Sequence, residues 1–458
     1  MKVIICGAGQ VGYGIAERLS QEDNDVSVID TSQTLIAAIT EALDVKGYVG
    51  HGAHPDVLEK AGAEDADMII AVTLFDEVNI VACEVAHALF SVPTKIARIR
   101  AQSYLQPEYA DLFSRQNMSI DVTISPEVEV GKMVLRRISF PGATDVMRFA
   151  DDQIAMVAIE CMEDCPVVST PLHQLSDLFP DLMATVVGIY REGSLKVARS
   201  ADQLEVGDLA YVICQRDHVR RTLGLFGHEE PEARRIIIAG GGNIGHFVAR
   251  TIEEHQPRTR LKIIESDRDK AITISETLRN TIVLHGSALD QNILSQADIQ
   301  ETDLIVMLTN NDQINILGGL LAKSLGCKSN LVLINSTSFN QITQSVGIDA
   351  QINPRAVTIS RVLQHVRKGR IRSVYAVQHG AAEIIEAEAL ETSPLVGKSF
   401  RELHLPDGIR VGAIFRDGVV IHPDGATRIK ARDRVVLFAT ADAVRDVEQL
   451  FRVSIQYF

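Results

Sequence analysis

Two carboxylates, Asp30 and Glu265, each follow a glycine-rich turn at similar spacing, and that pairing is the chemistry the chain offers most plainly. The first turn, Gly7-Ala8-Gly9-Gln10-Val11-Gly12, comes straight after the apolar run Val3-Ile4-Ile5-Cys6 and leads into a helical pattern carrying Ile15, Ala16 and Leu19. In such a strand–turn–helix unit the first glycine permits the tight turn and the second lets backbone approach a pyrophosphate. The third lets helix and strand pack closely, so that the N–H groups of the helix N-terminus face the phosphates. Asp30 ends a second apolar run, Val26-Ser27-Val28-Ile29. A carboxylate there accepts hydrogen bonds from ribose hydroxyls and repels a 2′-phosphate.

The pattern recurs. Ile236-Ile237-Ile238-Ala239 precedes Gly240-Gly241-Gly242-Asn243-Ile244-Gly245, and Leu261-Lys262-Ile263-Ile264 precedes Glu265. The three motif glycines recur 233 residues on (240 against 7, 242 against 9, 245 against 12) and the acid 235 residues on (265 against 30). One glycine motif is weak evidence. Two, each after a strand, before a helix and with its own acid, point to two nucleotide sites.

The elements that must position these residues follow the same duplication. After Asp30, strand patterns at 48–52, 68–73 and 95–100 alternate with helix patterns at 35–43, 57–61 and 79–90. In the second half, strands at 282–286, 304–309 and 331–334 and a helix at 315–325 match them. Thr73, Asp76 and Asn79 correspond to Thr309, Asp312 and Asn315, each 236 residues on. Strands alternating with helices predict a parallel sheet covered on both faces. Ser125-Pro126 opens a helix to about Ile138 and Asn353-Pro354 one to about Val366, ended by Phe140-Pro141-Gly142 and by Gly369.

Short β-like runs follow each helix, at 155–159, 185–190 and 210–214, then at 373–377, 411–415 and 435–439. The turn in Ile189-Tyr190-Arg191-Glu192-Gly193 matches Ile414-Phe415-Arg416-Asp417-Gly418, and Gly207-Asp208 matches Arg432-Asp433. The expected fold class is α/β: two tandem Rossmann-like nucleotide-binding domains, each followed by a small α+β module. The expected divisions are 1–140, 141–226, 232–370 and 371–458, with the polar stretch 227–234 as linker.

The chain has 458 residues, 46% of them apolar, enough to bury several cores. Its net charge of −15 argues against general binding to nucleic acid or to an anionic membrane surface. Six cysteines show no metal-ligand spacing, with Cys161 and Cys165 the closest pair, and read as reduced thiols. No apolar run approaches the ~18 to 20 residues of a membrane span, and the N-terminal run leads directly into the glycine turn, so a cytosolic protein is expected.

With these marks in hand, the chain resembles the Trk-type potassium-uptake regulatory subunits, built from two RCK (or KTN) units. The resemblance rests on the duplicated turn with its acid, the run Ala61-Gly62-Ala63-Glu64-Asp65-Ala66-Asp67, the two Pro-opened helices, Phe140-Pro141-Gly142-Ala143-Thr144-Asp145, and the overall order, and it spans essentially the whole chain. It implies that the nucleotide domains are RCK N-lobes and the small modules RCK C-lobes. It further implies binding of NAD(H) and adenine nucleotides (ATP/ADP), no catalysis and no resident metal. The implied place is the cytoplasmic face of the inner membrane, as a peripheral homo-oligomeric ring, a tetramer, that gates a TrkH-like potassium channel or transporter.

Carried over position by position, the resemblance places Gly7, Ala8, Gly9, Gln10, Val11 and Gly12 around a pyrophosphate and Asp30 on the ribose. Thr73 and Leu74 end the fourth strand, and Arg98 reaches a phosphate or neighbouring charge. The second site takes Gly240, Gly241, Gly242, Asn243, Ile244, Gly245, Glu265, His285 and Thr309. Members of the family often carry Asp after the third-strand glycine, where this chain has Ala53 and Ser287. The second half carries Ile334 and Asn335 against Arg98 and Arg100 of the first, so the sites are expected to differ in ligand or affinity.

An NAD-dependent oxidoreductase, or a redox sensor unrelated to ion transport, is the competing reading. A dehydrogenase needs a proton donor or acceptor beside the nicotinamide. His51, His54 and His87 have no visible partner in the sequence and read as surface or capping residues. The clusters Lys132, Arg136, Arg137 and Arg367, Lys368, Arg370, Arg372 read as favourable charge at helix C-termini. Val130, Val134 and Ile138 recur every four residues and form a stripe. Burying two such stripes against each other, within or between chains, is the expected route to assembly.

Overall fold

The computed structural model describes residues 1–458 except 23, 110, 115, 116, 180, 181, 340–345, 367–370 and 452–458. Arg367, Lys368, Gly369 and Arg370 therefore lie outside the described residues.

The first unit is a six-stranded sheet of β1 (Lys2–Cys6), β2 (Asp25–Asp30), β3 (Lys46–Val49), β4 (Met68–Ala71), β5 (Thr94–Arg98) and β6 (Val122–Ile124). All pairs are parallel, in the order β3-β2-β1-β4-β5-β6. Helices α1 (Gln10–Ser20) and α2 (Gln33–Ala42) cover one face, α3 (Pro55–Lys60) and α4 (Asp76–Phe90) the other. Side chains along β1 alternate between these faces: Val3 and Ile5 meet Ile15, Leu19 and Ile39, whereas Ile4 and Cys6 meet Leu58, Ala82 and Cys83. Burial on both faces explains why the strands read as continuous apolar runs. The strand order reverses at β1 and β4, which opens a crevice at their C-terminal ends beside the glycine turn.

Helix α5 (Pro126–Ser139) leads to the first module. That module is an antiparallel sheet of β7 (Ala143–Phe149), β8 (Ile154–Glu160), β9 (Ala184–Arg191), β10 (Ser194–Val197) and β11 (Leu209–Gln215), with helices α6 (Leu172–Leu178) and α7 (Val219–Leu225). The second unit repeats the first. Its strands are β12 (Arg235–Ala239), β13 (Arg260–Glu265), β14 (Ile282–His285), β15 (Leu304–Met307), β16 (Ser329–Leu333) and β17 (Ala350–Ile352), in the equivalent order β14-β13-β12-β15-β16-β17. Its helices are α8 (Asn243–His255), α9 (Arg268–Thr277), α10 (Gln291–Gln296), α11 (Asp312–Ser324) and α12 (Pro354–Val366). The last module holds β18 (Ile371–Val377), β19 (Ala382–Glu388), β20 (Ile409–Arg416), β21 (Val419–Ile421), β22 (Arg434–Thr440) and α13 (Val444–Leu450). Its order β21-β20-β22-β19-β18 reproduces β10-β9-β11-β8-β7.

The α/β duplication expected from the sequence is present. Strands β6, β7, β10, β17, β19 and β21 and helices α6, α9 and α10 are additions to that reading. Each hairpin turn has φ > 0 at both central residues, Glu192 and Gly193, then Asp417 and Gly418, the geometry a two-residue hairpin favours. The matched Asp208 and Asp433, each 1% exposed, accept a two-point guanidinium fork from Arg191 and Arg416. These repeated residues hold the modules together.

The apolar stripe finds its partner inside the chain. Val130, Met133, Val134 and Ile138 of α5 pack on Ile236, Ile238, Val248 and Ile252 of the second unit. Reciprocally, Val362, Leu363 and Val366 of α12 pack on Val3, Ile5, Ile15 and Leu19 of the first. The helices approach closely because glycines face large side chains. A Cβ on Gly131 would lie 2.3 Å from the Phe247 ring, and one on Gly14 would lie 2.3 Å from Ile359. Contrary to the expectation from the spacing, the two stripes do not pack on each other: Val130 and Val134 are fully buried against the second unit, and Val362 and Val366 are buried against the first. Covalent linkage of the halves gives the internal pairing the higher effective concentration.

The modules also meet, sheet face to sheet face, with Met156, Val187 and Ile213 against Ile384, Val436 and Phe438. The Ala150 N–H donates to Glu386 Oε2 at 3.1 Å and Thr185 Oγ1 to the Gly412 carbonyl at 3.0 Å across that contact. Among the described residues no helix is long and apolar enough to cross a membrane.

Candidate nucleotide sites

Each glycine of the first turn has a distinct physical task. Gly7 has φ +113°, a left-handed conformation that favours glycine. A Cβ on Gly12 would sit 1.8 Å from the Gly7 carbonyl oxygen, so nothing larger fits between β1 and α1. Around Gly9 a Cβ would meet nothing within 4 Å, and this residue caps α1 with no side-chain hydrogen bond. The helix N-terminus therefore opens bare N–H groups onto the crevice, the arrangement that binds phosphate. The second turn repeats each feature: Gly240 has φ +104°, a Cβ on Gly245 would lie 2.0 Å from the Gly240 oxygen, and Gly242 is open.

The two acids tie the turn to the strand end. Asp30 accepts the Ala8 N–H at 2.7 Å and the Ser32 N–H at 2.8 Å. Glu265 accepts the Gly241 N–H at 2.7 Å and the Asp267 N–H at 2.9 Å. Both Asp30 oxygens and Glu265 Oε2 keep a second lone pair, which is what a ribose hydroxyl requires, whereas Glu265 Oε1 also accepts from Ser266 Oγ at 3.4 Å. Asn79, fully buried, accepts from the Thr73 N–H and Oγ1 and donates to the Arg98 carbonyl at 2.9 Å. Asn315 does the same with Thr309 and the Leu333 carbonyl.

That last pair sets the true register between halves. Arg98 corresponds to Leu333, and Arg100 to Asn335, because the N–H groups of Arg100 and Asn335 both donate to the helix-leading Asp76 and Asp312. The pairing of Arg98 with Ile334 is corrected by one position, since the α11-to-β16 half is one residue shorter than its counterpart. Likewise Ser287 matches His51 rather than Ala53, as Gly50 and Gly286 donate to the Asp30 and Glu265 carbonyls. An arginine still faces an aliphatic side chain across the repeat.

The first crevice has a volume of about 530 Å³, within the range of small-molecule sites, and is lined by Gly7, Gly9, Gln10, Val11, Asp30, Thr73, Leu74 and Arg98. Arg98 Nε is buried without a hydrogen-bond partner. Burial pushes its pKa down, with Arg100 adding to the effect against Glu127 and Asp76. Four lining residues come from the second unit: Asn335, Pro354, Arg355 and Thr358. The Arg355 guanidinium lies 6.0 Å from the Tyr13 ring centroid of α1. The second crevice, about 420 Å³, is lined by Gly240, Gly242, Glu265, Thr309 and Lys270 among others, all from its own unit.

The remaining expected residues fall at the margins. Ala8 and Gly241 serve through their N–H groups on the acids. Gly12 and Gly245 pack helix on strand. Asn243 is exposed at the start of α8, and Ile244 packs into the core shared with α5. His285 is exposed, its Nε2 lies 3.2 Å from the Ser266 carbonyl oxygen, and it does not line the second crevice.

Sequence reasoning missed His51, whose ring stacks on His54 at 4.6 Å and lines the first crevice. It also missed Arg355 and Thr358 and gave Asn335 to the second site, because no local pattern flags residues that line a crevice from the other unit. Among the described residues no cluster of His, Cys, Asp and Glu is placed to hold a metal ion. The six cysteines are free and buried, and burial pushes the Cys6 thiol up to about 12.

The TrkA-N domain family matches residues 3–126 and 236–354, and the TrkA-C domain family matches residues 384–452. The Trk system potassium uptake protein TrkA of Azorhizobium caulinodans is 56% identical over 458 residues, covering 100% of both chains. Its namesakes in Halomonas elongata and Vibrio alginolyticus are 39% and 38% identical, covering 100% and 99% of both chains. Among solved structures, the GsuK channel superposes with a TM-score of 0.62 at 18% identity, over 98% of this chain and 78% of that one. The GsuK channel bound to NAD superposes with a TM-score of 0.60 over the same shares. These structures share the fold. By its matched halves and its identity to full-length relatives, the chain belongs to the TrkA family of Trk system potassium uptake proteins.

Proposed function

We propose that this chain is the nucleotide-binding regulatory subunit of a Trk potassium uptake system. It works at the cytoplasmic face of the inner membrane and gates a TrkH-like channel or transporter, by binding NAD(H) and ATP or ADP rather than by turnover. The observation that carries this reading is the shared wall of the first crevice: Arg98 belongs to one unit, and Arg355 and Thr358 to helix α12 of the other. Val362 and Val366, further along α12, sit in the first unit's core. A phosphate between the two arginines has an affinity that depends on where α12 lies, and a ligand with such differential affinity shifts a conformational balance. The two crevices differ in charge, so unequal affinities follow. The site residues named above and the four-part division of the chain belong to this proposal. So does a tetrameric ring, joined through surfaces other than the buried stripe. Light scattering giving a mass other than four chains would remove the ring.

Calorimetric titration of NAD, NADH, ATP and ADP tests the binding half. Two unequal sites per chain are expected, with Asp30→Ala weakening only the first and Glu265→Ala only the second. Robust nicotinamide-dependent turnover, abolished by Gly9→Val, would establish the oxidoreductase reading instead. Normal potassium uptake in cells lacking this protein would leave a redox sensor unrelated to ions.

A further inference from the structure

A third cavity, of about 700 Å³, lies where α5 and α12 meet strands β7, β18 and β19. It gathers described members of both basic clusters of the sequence, Lys132, Arg136 and Arg372, together with Arg148, Arg361 and Arg434. Four carboxylates, Glu129, Asp151, Asp152 and Glu386, share the wall. Lys132 pairs with Glu129, Arg148 with Asp152, Arg434 with Asp151 and Glu386, and Arg372 with Glu388 at the edge. Arg136 and Arg361 make no ion pair among the described residues.

Arg361 donates to Gln364 Oε1 at 2.6 Å, a neutral acceptor. Arg136 Nε is buried with no hydrogen-bond partner. Burial lowers the Arg136 pKa, with Asp145 the strongest opposing charge. Yet Asp145 accepts from the Tyr375 hydroxyl and from the Val146 N–H, and makes no hydrogen bond to Arg136. A buried guanidinium N–H without an acceptor is unfavourable unless a ligand atom completes it. The rest of the lining is mixed, with Met133, Met147, Phe149 and Val357 as its apolar part beside Ser139, Ser360 and Ser373. In a chain of net charge −15, a wall with six cations against four carboxylates runs against the general field.

We propose that this cavity is a third ligand site, separate from the glycine-turn crevices, which binds a small phosphorylated metabolite. Arg136 and Arg361 take its phosphate, since planar guanidinium forks suit that geometry, and its less polar part rests on Met147, Phe149 and Val357. Arg136 stands on the helix of the first unit and Arg361 on that of the second, and β7 and β18 lead into the two modules. Occupancy therefore ties all four lobes together.

The test uses the full-length chain carrying Gly9→Val and Gly242→Val, which block the glycine-turn crevices at positions where a Cβ has open space. Phenyl phosphate, titrated calorimetrically, is expected to bind this parent once per chain, at least fivefold tighter than inorganic phosphate. Arg136→Gln and Arg361→Gln, which remove a charge rather than bury one, are each expected to weaken it at least tenfold. Arg250→Gln, on the exposed side of α8, is expected to leave it unchanged. No binding to the parent at millimolar concentration, equal affinity for the two probes, or binding that both cavity variants retain within twofold would each overturn the proposal.

Discussion

Gly9 and Gly12 stand three residues apart and have opposite tolerances. A Cβ on Gly9 meets nothing and its φ of −65° suits any residue, so Gly9→Ala is expected to fold normally. It should nevertheless lose at least tenfold in nucleotide affinity at the first crevice, because the methyl group projects where phosphate approaches. Gly12→Ala drives a Cβ into the Gly7 carbonyl and should lower stability by ~3 kcal/mol or more. Thermal melting and calorimetry on the two variants separate the effects; equal losses of stability would refute the assignment. His365 of α12 gives a pH signature. Its Nε2 is buried without a partner, and burial, then Arg361, push its pKa from 6.5 down to about 4. The unfolded chain takes up this proton first, so stability is full above about 6.5 and is lost as pH falls toward 4. Melting temperatures measured across that window should fall less steeply in His365→Gln.

At the scale of elements, the exchanged helices are the feature on which the rest depends. Val134 of α5 is fully buried in a core made mostly of second-unit residues. A carboxylate there has no partner and no water, so Val134→Asp should destabilise the fold by ~4 kcal/mol or more. The expected result is loss of cooperative melting and of soluble yield, rather than clean dissociation into folded subunits. A folded, soluble Val134→Asp chain would show that α5 does not pack as described. The module forks, Arg191 with Asp208 and Arg416 with Asp433, are elements of the same structural kind. Their duplication reports the repeat and carries no ligand chemistry.

On the scale of the whole molecule, neither half is complete. Residues 1–227 alone would expose Val130, Val134 and Ile138 and leave Val3, Ile15 and Leu19 without the cover of α12. Expressed by itself, this half is expected to dimerise by exchanging α5 between copies, or to aggregate. A stable folded monomer in sedimentation would contradict the interlocked arrangement. The same interlock makes the first crevice sensitive to the second unit, because Arg355 and Thr358 travel with α12. No such arm reaches the second crevice, whose described lining is its own.

The duplicated turns and their acids are legible in the sequence because their physics is local. A turn that needs φ > 0 at Gly7 and no Cβ at Gly12 permits few residues, and a strand buried on both faces must be apolar throughout. The stripe Val130, Val134, Ile138 is equally legible as a buried face, but its partner is not, since apolar burial is non-directional and one apolar surface serves as well as another. The tertiary structure decided that α5 and α12 trade sheets. It thereby brought Arg355 into the first crevice and joined the basic residues of two distant segments around one cavity. It also decided the one-residue register that matches Arg98 to Leu333, because the shorter span from the start of α11 into β16 shows only once Asn79 and Asn315 are seen donating to the next strand.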